Sequence, residues 1–89
     1  MFKLPSELTV HQAGELKEKL LNFVESNGQE EKNELYFDGS QVEDVDAAGV
    51  QLLLSSYLTG QEAGKTIKLY EPSQTLERML RLSGVLDYF

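Results

Sequence analysis

The chain contains no cysteine, which excludes disulfides, thiolate nucleophiles and thiolate metal sites at one stroke. It has a single histidine, His11. A catalytic triad or a metal centre built on it would need partners that the sequence does not announce. No apolar run approaches the roughly 20 residues that cross a bilayer. Basic residues are also scarce: eight Lys and Arg stand against fifteen Asp and Glu, for a formal charge of −7. Such a surface repels nucleic-acid backbones and anionic membranes, and no basic cluster offsets it. Neither nucleic acid nor direct membrane insertion is therefore expected. The opening Met1-Phe2-Lys3-Leu4-Pro5-Ser6-Glu7 lacks a signal-peptide layout, so the expected location is the cytoplasm. No internal repeat, low-complexity stretch or linker breaks the chain.

What is present points to one small α/β domain. At 89 residues a second core would leave too little apolar surface for either. Hydrophobic residues make up 40% and charged residues 26%, the balance of an ordinary globular protein. Phe2-Lys3-Leu4 alternates and is stopped by Pro5, which predicts a strand, the only one before Thr9. Thr9-Val10-His11-Gln12 reads as a capping box. The helix behind it carries Val10, Ala13, Leu16, Leu20 and Val24 on one face, and Asn27-Gly28 ends it. After a polar loop at 29–33, Glu34-Leu35-Tyr36-Phe37-Asp38 is a second predicted strand.

Residues 39–45 read as a loop. A second helix is predicted from a cap at Asp46 to about Ala63, with Gly64 as terminator. Val50, Leu52, Leu53, Leu54, Tyr57 and Leu58 make it apolar on more than one side. Thr66-Ile67-Lys68-Leu69-Tyr70 is a third strand. Pro72-Ser73 opens a third helix with Leu76, Met79 and Leu80 inward, and Ser83-Gly84 closes it. The apolar residues 85–89 dock on the core. Strands alternating with helices predict a small, mostly parallel sheet.

Two apparent motifs fail. Gly60-Gln61-Glu62-Ala63-Gly64-Lys65-Thr66 has three residues between its glycines where a phosphate loop needs four. It also runs from helix to strand, whereas phosphate binding requires free helix N–H groups after a strand. Asp44-Val45-Asp46-Ala47-Ala48-Gly49 opens like a calcium loop, but its fifth and twelfth positions are Ala48 and Ser55, which supply no carboxylate. The sequence calls for no metal and no cofactor, and no pair of carboxylates stands apart from a solvated acidic surface.

The unusual stretch runs from Leu35 to Leu54. A strand ends in Asp38-Gly39-Ser40, a short loop follows, and Asp46-Ala47-Ala48-Gly49-Val50 opens a helix with side chains of methyl size or less. Small residues there either let a partner approach the helix start, with its free N–H groups and positive dipole end, or merely let helix and sheet pack closely. In order and spacing the stretch resembles the STAS domain, the family of bacterial anti-sigma-factor antagonists and of the cytoplasmic domains of sulfate transporters. The pattern of that family is an apolar strand, Asp-x-Ser, a few residues, then Asp-Ser/Thr-small-Gly-aliphatic. The likeness extends to the Gly-Lys turn, the strand after it and the Leu-x-x-x-Gly ending at Leu80 to Gly84.

The resemblance implies a STAS-like α/β fold and a non-catalytic protein-interaction module. Its contact surface would comprise Asp46, Ala47, Ala48, Gly49 and Gln51, with Ser40 and Thr9 nearby. In the antagonists, the residue after the Asp is a serine or threonine that a cognate kinase phosphorylates, adding charge at the contact and expelling the partner. Here that position is Ala47, which has no hydroxyl, so phosphorylation-independent binding is expected. Ser40 is the nearest substitute, and serine in such a loop bonds local backbone. A further departure is Ser6-Glu7-Leu8-Thr9 where the family often has Gly-x-Leu-Asp. The implied partner is an anti-sigma kinase, a signalling histidine kinase such as those of chemotaxis, or the ATPase of an ABC-type lipid transporter on which this chain would be a small cytoplasmic subunit.

Overall fold

A computed structural model describes residues 1–27 and 33–89. Its elements are β1 (Phe2–Lys3), β2 (Glu7–Leu8), α1 (Val10–Asn27), β3 (Glu34–Asp38), β4 (Asp44–Val45), α2 (Ala47–Glu62), β5 (Thr66–Tyr70) and α3 (Gln74–Leu82). A 3₁₀ turn at Leu86–Tyr88 closes the chain. Strands β1, β3 and β5 form one sheet in the order β1-β3-β5, and both pairings are parallel. Phe2 stands opposite Phe37, and Tyr36 opposite Lys68. The α/β architecture with a small parallel sheet is the one the alternation of elements predicts.

Two short strands depart from that expectation. Glu7–Leu8 pairs in parallel with Asp44–Val45, giving a second strand before Thr9 and placing a strand at the end of the expected 39–45 loop. The Ser6 carbonyl accepts the N–H groups of Glu43 and Asp44 at 2.8 and 3.0 Å, and the Leu8 carbonyl accepts that of Asp46 at 3.3 Å. Unlike β1, whose alternation continues into Leu4, these two strands carry no alternation that pattern could reveal. The predicted stop at Gly28 and most of the loop after it lie outside the described residues.

The core forms where the inward faces meet. In β3, Leu35 and Phe37 are buried while Glu34 and Tyr36 face outward, the period of two expected of a strand with one covered face. Leu16, Leu20 and Val24 of α1, Val50 and Leu53 of α2, Ile67 of β5, and Leu76 and Leu80 of α3 complete it. Rings of Phe2, Phe23 and Phe37 meet with centroids 5.5 to 6.0 Å apart and tilted planes, the geometry that aromatic quadrupoles favour. A Cβ on Gly60 would press on the Ile67 side chain, so the missing side chain lets α2 lie close on β5. Val10, expected inward, is 61% exposed. As the first residue of α1, its side chain leans toward the helix N-terminus and beyond the core.

The helix ends follow the residues. Asp46 and Ser73 cap α2 and α3 by accepting the N–H groups of Gly49 and Leu76. Gly64 and Gly84 take φ of +77° and +75°, which glycine adopts at little cost. The terminal segment packs as expected, with Tyr57 meeting Tyr88 and Phe89 at 5.4 and 5.6 Å between ring centroids.

Phe37 joins the sheet to α1 and is fully buried. Phe37→Ala is expected to lower the free energy of unfolding by about 3–5 kcal/mol, read as a fall in the urea midpoint without a change of slope.

Candidate functional site

The chemistry of the site starts from one carboxylate. Asp46 has an extended backbone and immediately precedes α2. Its Oδ1 accepts the Gly49 N–H at 3.0 Å, the usual service of an N-cap. Its Oδ2 accepts the Val10 N–H, also at 3.0 Å, from a residue 36 positions earlier in the chain. A single side chain thus caps α1 and α2 together. The two positive dipole ends converge on it, and the negative charge satisfies both.

The capping box expected at Thr9 does not form. The Thr9 hydroxyl oxygen is buried without a hydrogen-bond partner, and the Gln12 N–H goes instead to the Thr9 carbonyl at 2.9 Å. The Gln12 side-chain amide donates to Glu7 Oε2 at 3.2 Å. Asp46 takes the Val10 N–H, the first of α1, a donor that a capping box leaves free because the box uses the N–H three residues after the cap. The sequence signalled Asp46 as the cap of its own helix. Nothing local to residues 9–12 announced that it also reaches α1.

The Asp46 carboxyl is held below its ordinary value. The Val10 N–H is the largest cause, followed by the Gly49 N–H, with smaller help from the Ala48 N–H and from His11. Partial desolvation works the other way and is outweighed.

The three residues after Asp46 have unlike fates. Ala47 is exposed, Ala48 half-buried and Gly49 buried. A Cβ on Gly49 would collide with the Leu8 carbonyl oxygen, so glycine there allows α2 to seat against β2. Successive helical residues turn by about 100°, which is why one short run serves both purposes. Gln51, one turn beyond Ala47, is exposed. Beside this helix start stands the exposed Val10, tied to Asp46 through its N–H. Val10 was not among the expected contact residues, since its spacing placed it with the inward face of α1.

Of the remaining expected residues, Thr9 lies buried beneath the helix start and offers no side-chain surface. Ser40 is exposed but belongs to a different cluster: its N–H donates to Asp38 Oδ1 at 2.9 Å, and its hydroxyl also bonds that carboxylate. These two bonds, the N–H first, hold the Asp38 carboxyl below its usual range, with a contribution from Lys3. The loop is pinned from its other side by Ser73, whose hydroxyl donates to the Val42 carbonyl at 2.6 Å. Among the described residues no group of three His, Asp or Glu side chains could hold a metal ion.

A strand ending in Asp38-Gly39-Ser40 and a helix capped by Asp46 and opened by Ala47-Ala48-Gly49 now stand in three dimensions as in sequence. A family model described as "Mlab, STAS domain" matches residues 1–87. The chain belongs to the STAS domain family. Comparison with curated proteins returns no match. STAS domains are generally non-catalytic modules that mediate protein–protein interactions. In this STAS domain no described helix is long and apolar enough to cross a membrane.

Two outcomes test the geometry. Gly49→Ala is expected to destabilise the fold by about 1–3 kcal/mol, the usual cost of overpacking, measured by denaturant unfolding. For Asp46 the sign follows from its lowered pKa: the contribution is complete above the unfolded value of about 3.9 and is lost as pH falls through the lower folded value. The melting temperature of Asp46→Asn is therefore expected to lie below that of wild type at pH 7, and the gap to close as the pH falls below about 4.

Proposed function

We propose that this STAS domain is a docking module of bacterial signalling whose contact is made at the paired starts of α1 and α2, and that it binds without a phosphorylation switch at that point. Exposure of Ala47 at the head of α2, beside the exposed Val10, carries the proposal. A methyl group on an N-terminal turn lets a partner's surface come within van der Waals distance of the backbone. Ala48 and Gln51 extend that contact. Asp46 sets the two helix starts in register from beneath, and Gly49 and Thr9 support the surface as buried residues.

The absence of a hydroxyl at Ala47 removes the group that the antagonists resembling this chain use to release their partner. Affinity then rests on concentration and on the partner's own state, not on covalent charge at this turn. A kinase of the anti-sigma or histidine type is the proposed partner class, and the proposed setting is the cytoplasm. Seating on the ATPase of an ABC-type lipid transporter is the alternative, and it would use the same helix starts.

The experiment is an affinity capture from native lysate followed by binding measurements on the captured protein. Whether the capture yields a kinase or a transporter ATPase chooses between the two readings. Ala47→Glu is expected to weaken binding about tenfold or more, because it places an unpaired charge at the centre of the contact. Ala47→Ser is expected to bind as wild type until phosphorylated. Unchanged affinity of Ala47→Glu overturns the proposal, as does release of the partner on phosphorylation of Ser40, the nearest substitute hydroxyl.

A further inference from the structure

The sheet β1-β3-β5 is wholly parallel, yet helices cover only one of its faces. Phe2, Leu35, Phe37 and Ile67 point to the helical layer, where Phe23 of α1 meets the rings of Phe2 and Phe37 and α2 lies on Ile67. On the other face stand Lys3, Glu34, Tyr36, Thr66, Lys68 and Tyr70. Parallel sheets are found almost always with both faces covered. Among the described residues nothing covers this one: Tyr36 is 38% and Tyr70 45% exposed, and the Lys68 and Glu34 side chains remain about half exposed even as an ion pair at 3.4 Å.

The charge on this face differs from that of the molecule. Lys3 stands opposite Asp38, and Lys68 pairs with Glu34, so two cations and two anions sum to zero on a chain of net charge −7. Two copies repel each other on average. That repulsion is least where this locally neutral face meets its copy. The phenol rings add amphipathic area of the kind enriched in interfaces.

We propose that the outer face of the β1-β3-β5 sheet is a self-association surface on which a second copy of this chain docks, sheet against sheet. A two-fold contact of this kind is isologous, so the same residues serve on both sides. The face measures only about 14 Å by 17 Å, from strand spacing and rise. That is small beside the roughly 800 Å² per partner of stable complexes, so the expected contact is a weak, reversible dimer. The contact does not depend on the docking role of Ala47. It leaves the starts of α1 and α2 free on the opposite layer, so a dimer presents two docking spots and gains avidity toward a clustered partner.

Sedimentation velocity over a concentration series reaching about 1 mM tests this on the full chain. Wild type is expected to shift from monomer toward dimer across the series. Lys68→Glu gives the face a net charge of −2 and Glu34→Lys one of +2. Each alone is expected to weaken association about tenfold or more, while an equimolar mixture of the two regains it. Both positions are exposed and their pair adds little to folding, and circular dichroism confirms that each variant is folded. A wild-type chain that stays monomeric at every concentration overturns the proposal, as does undiminished association of the two single variants.

Discussion

The structure depends on a carboxylate that serves two helices. Asp46 accepts one N–H from α1 and one from α2, and so fixes the distance between two helix starts that would otherwise repel through their like dipole ends. Each helix leaves its first N–H groups without intrahelical partners, and burying them beside a strand without an acceptor would be costly. One ionised group resolves both deficits. It also decides what the surface looks like: Val10 is drawn to the rim of the core and stays exposed, and Ala47 is left at the outer edge of its turn.

Small residues at the head of α2 had two explanations, close packing and close approach of a partner. The helix divides them. Gly49 faces β2, where the Leu8 carbonyl leaves no room for a Cβ, and Ala47 faces solvent. The two positions are two residues apart, about 200° around the helix, and so lie on nearly opposite faces. A larger residue at 49 would lift the helix from the strand, and Asp46 would no longer reach both N–H groups at 3.0 Å. The proposed docking spot is thus tied to the core through a single turn.

Much of this was legible in the residues. The helices, the strands β3 and β5, the caps at Asp46 and Ser73 and the terminators Gly64 and Gly84 each carry a local signal, whether periodicity, a capping side chain or a glycine after a helix. The short strands β2 and β4 carry none, and their pairing is set by the Ser6 and Leu8 carbonyls across more than thirty residues. Thr9 and Gln12 formed a plausible local cap, but the Gln12 N–H goes to the Thr9 carbonyl and the Gln12 side chain to Glu7. Val10 matched the apolar face of α1 by spacing and still lies outside the core, since a helix of finite length buries only the turns that overlie the sheet. Of the expected contact residues, Ala47 and Gln51 are exposed and Asp46 half-buried, while Thr9 and Gly49 are buried and Ser40 bonds Asp38.

The two sides of the molecule answer to different physics. On the helical layer, the proposed contact rests on shape and on the absence of side chain. On the outer face of the sheet the polar alternation of β3 and β5 carries balanced charge, so the repulsion that keeps a −7 chain apart in solution is locally cancelled. A surface of one sign would bar self-contact, and an apolar one would make it irreversible. Paired lysines and carboxylates around two phenols lie between these limits. They suit the weak, reversible contact proposed for this face.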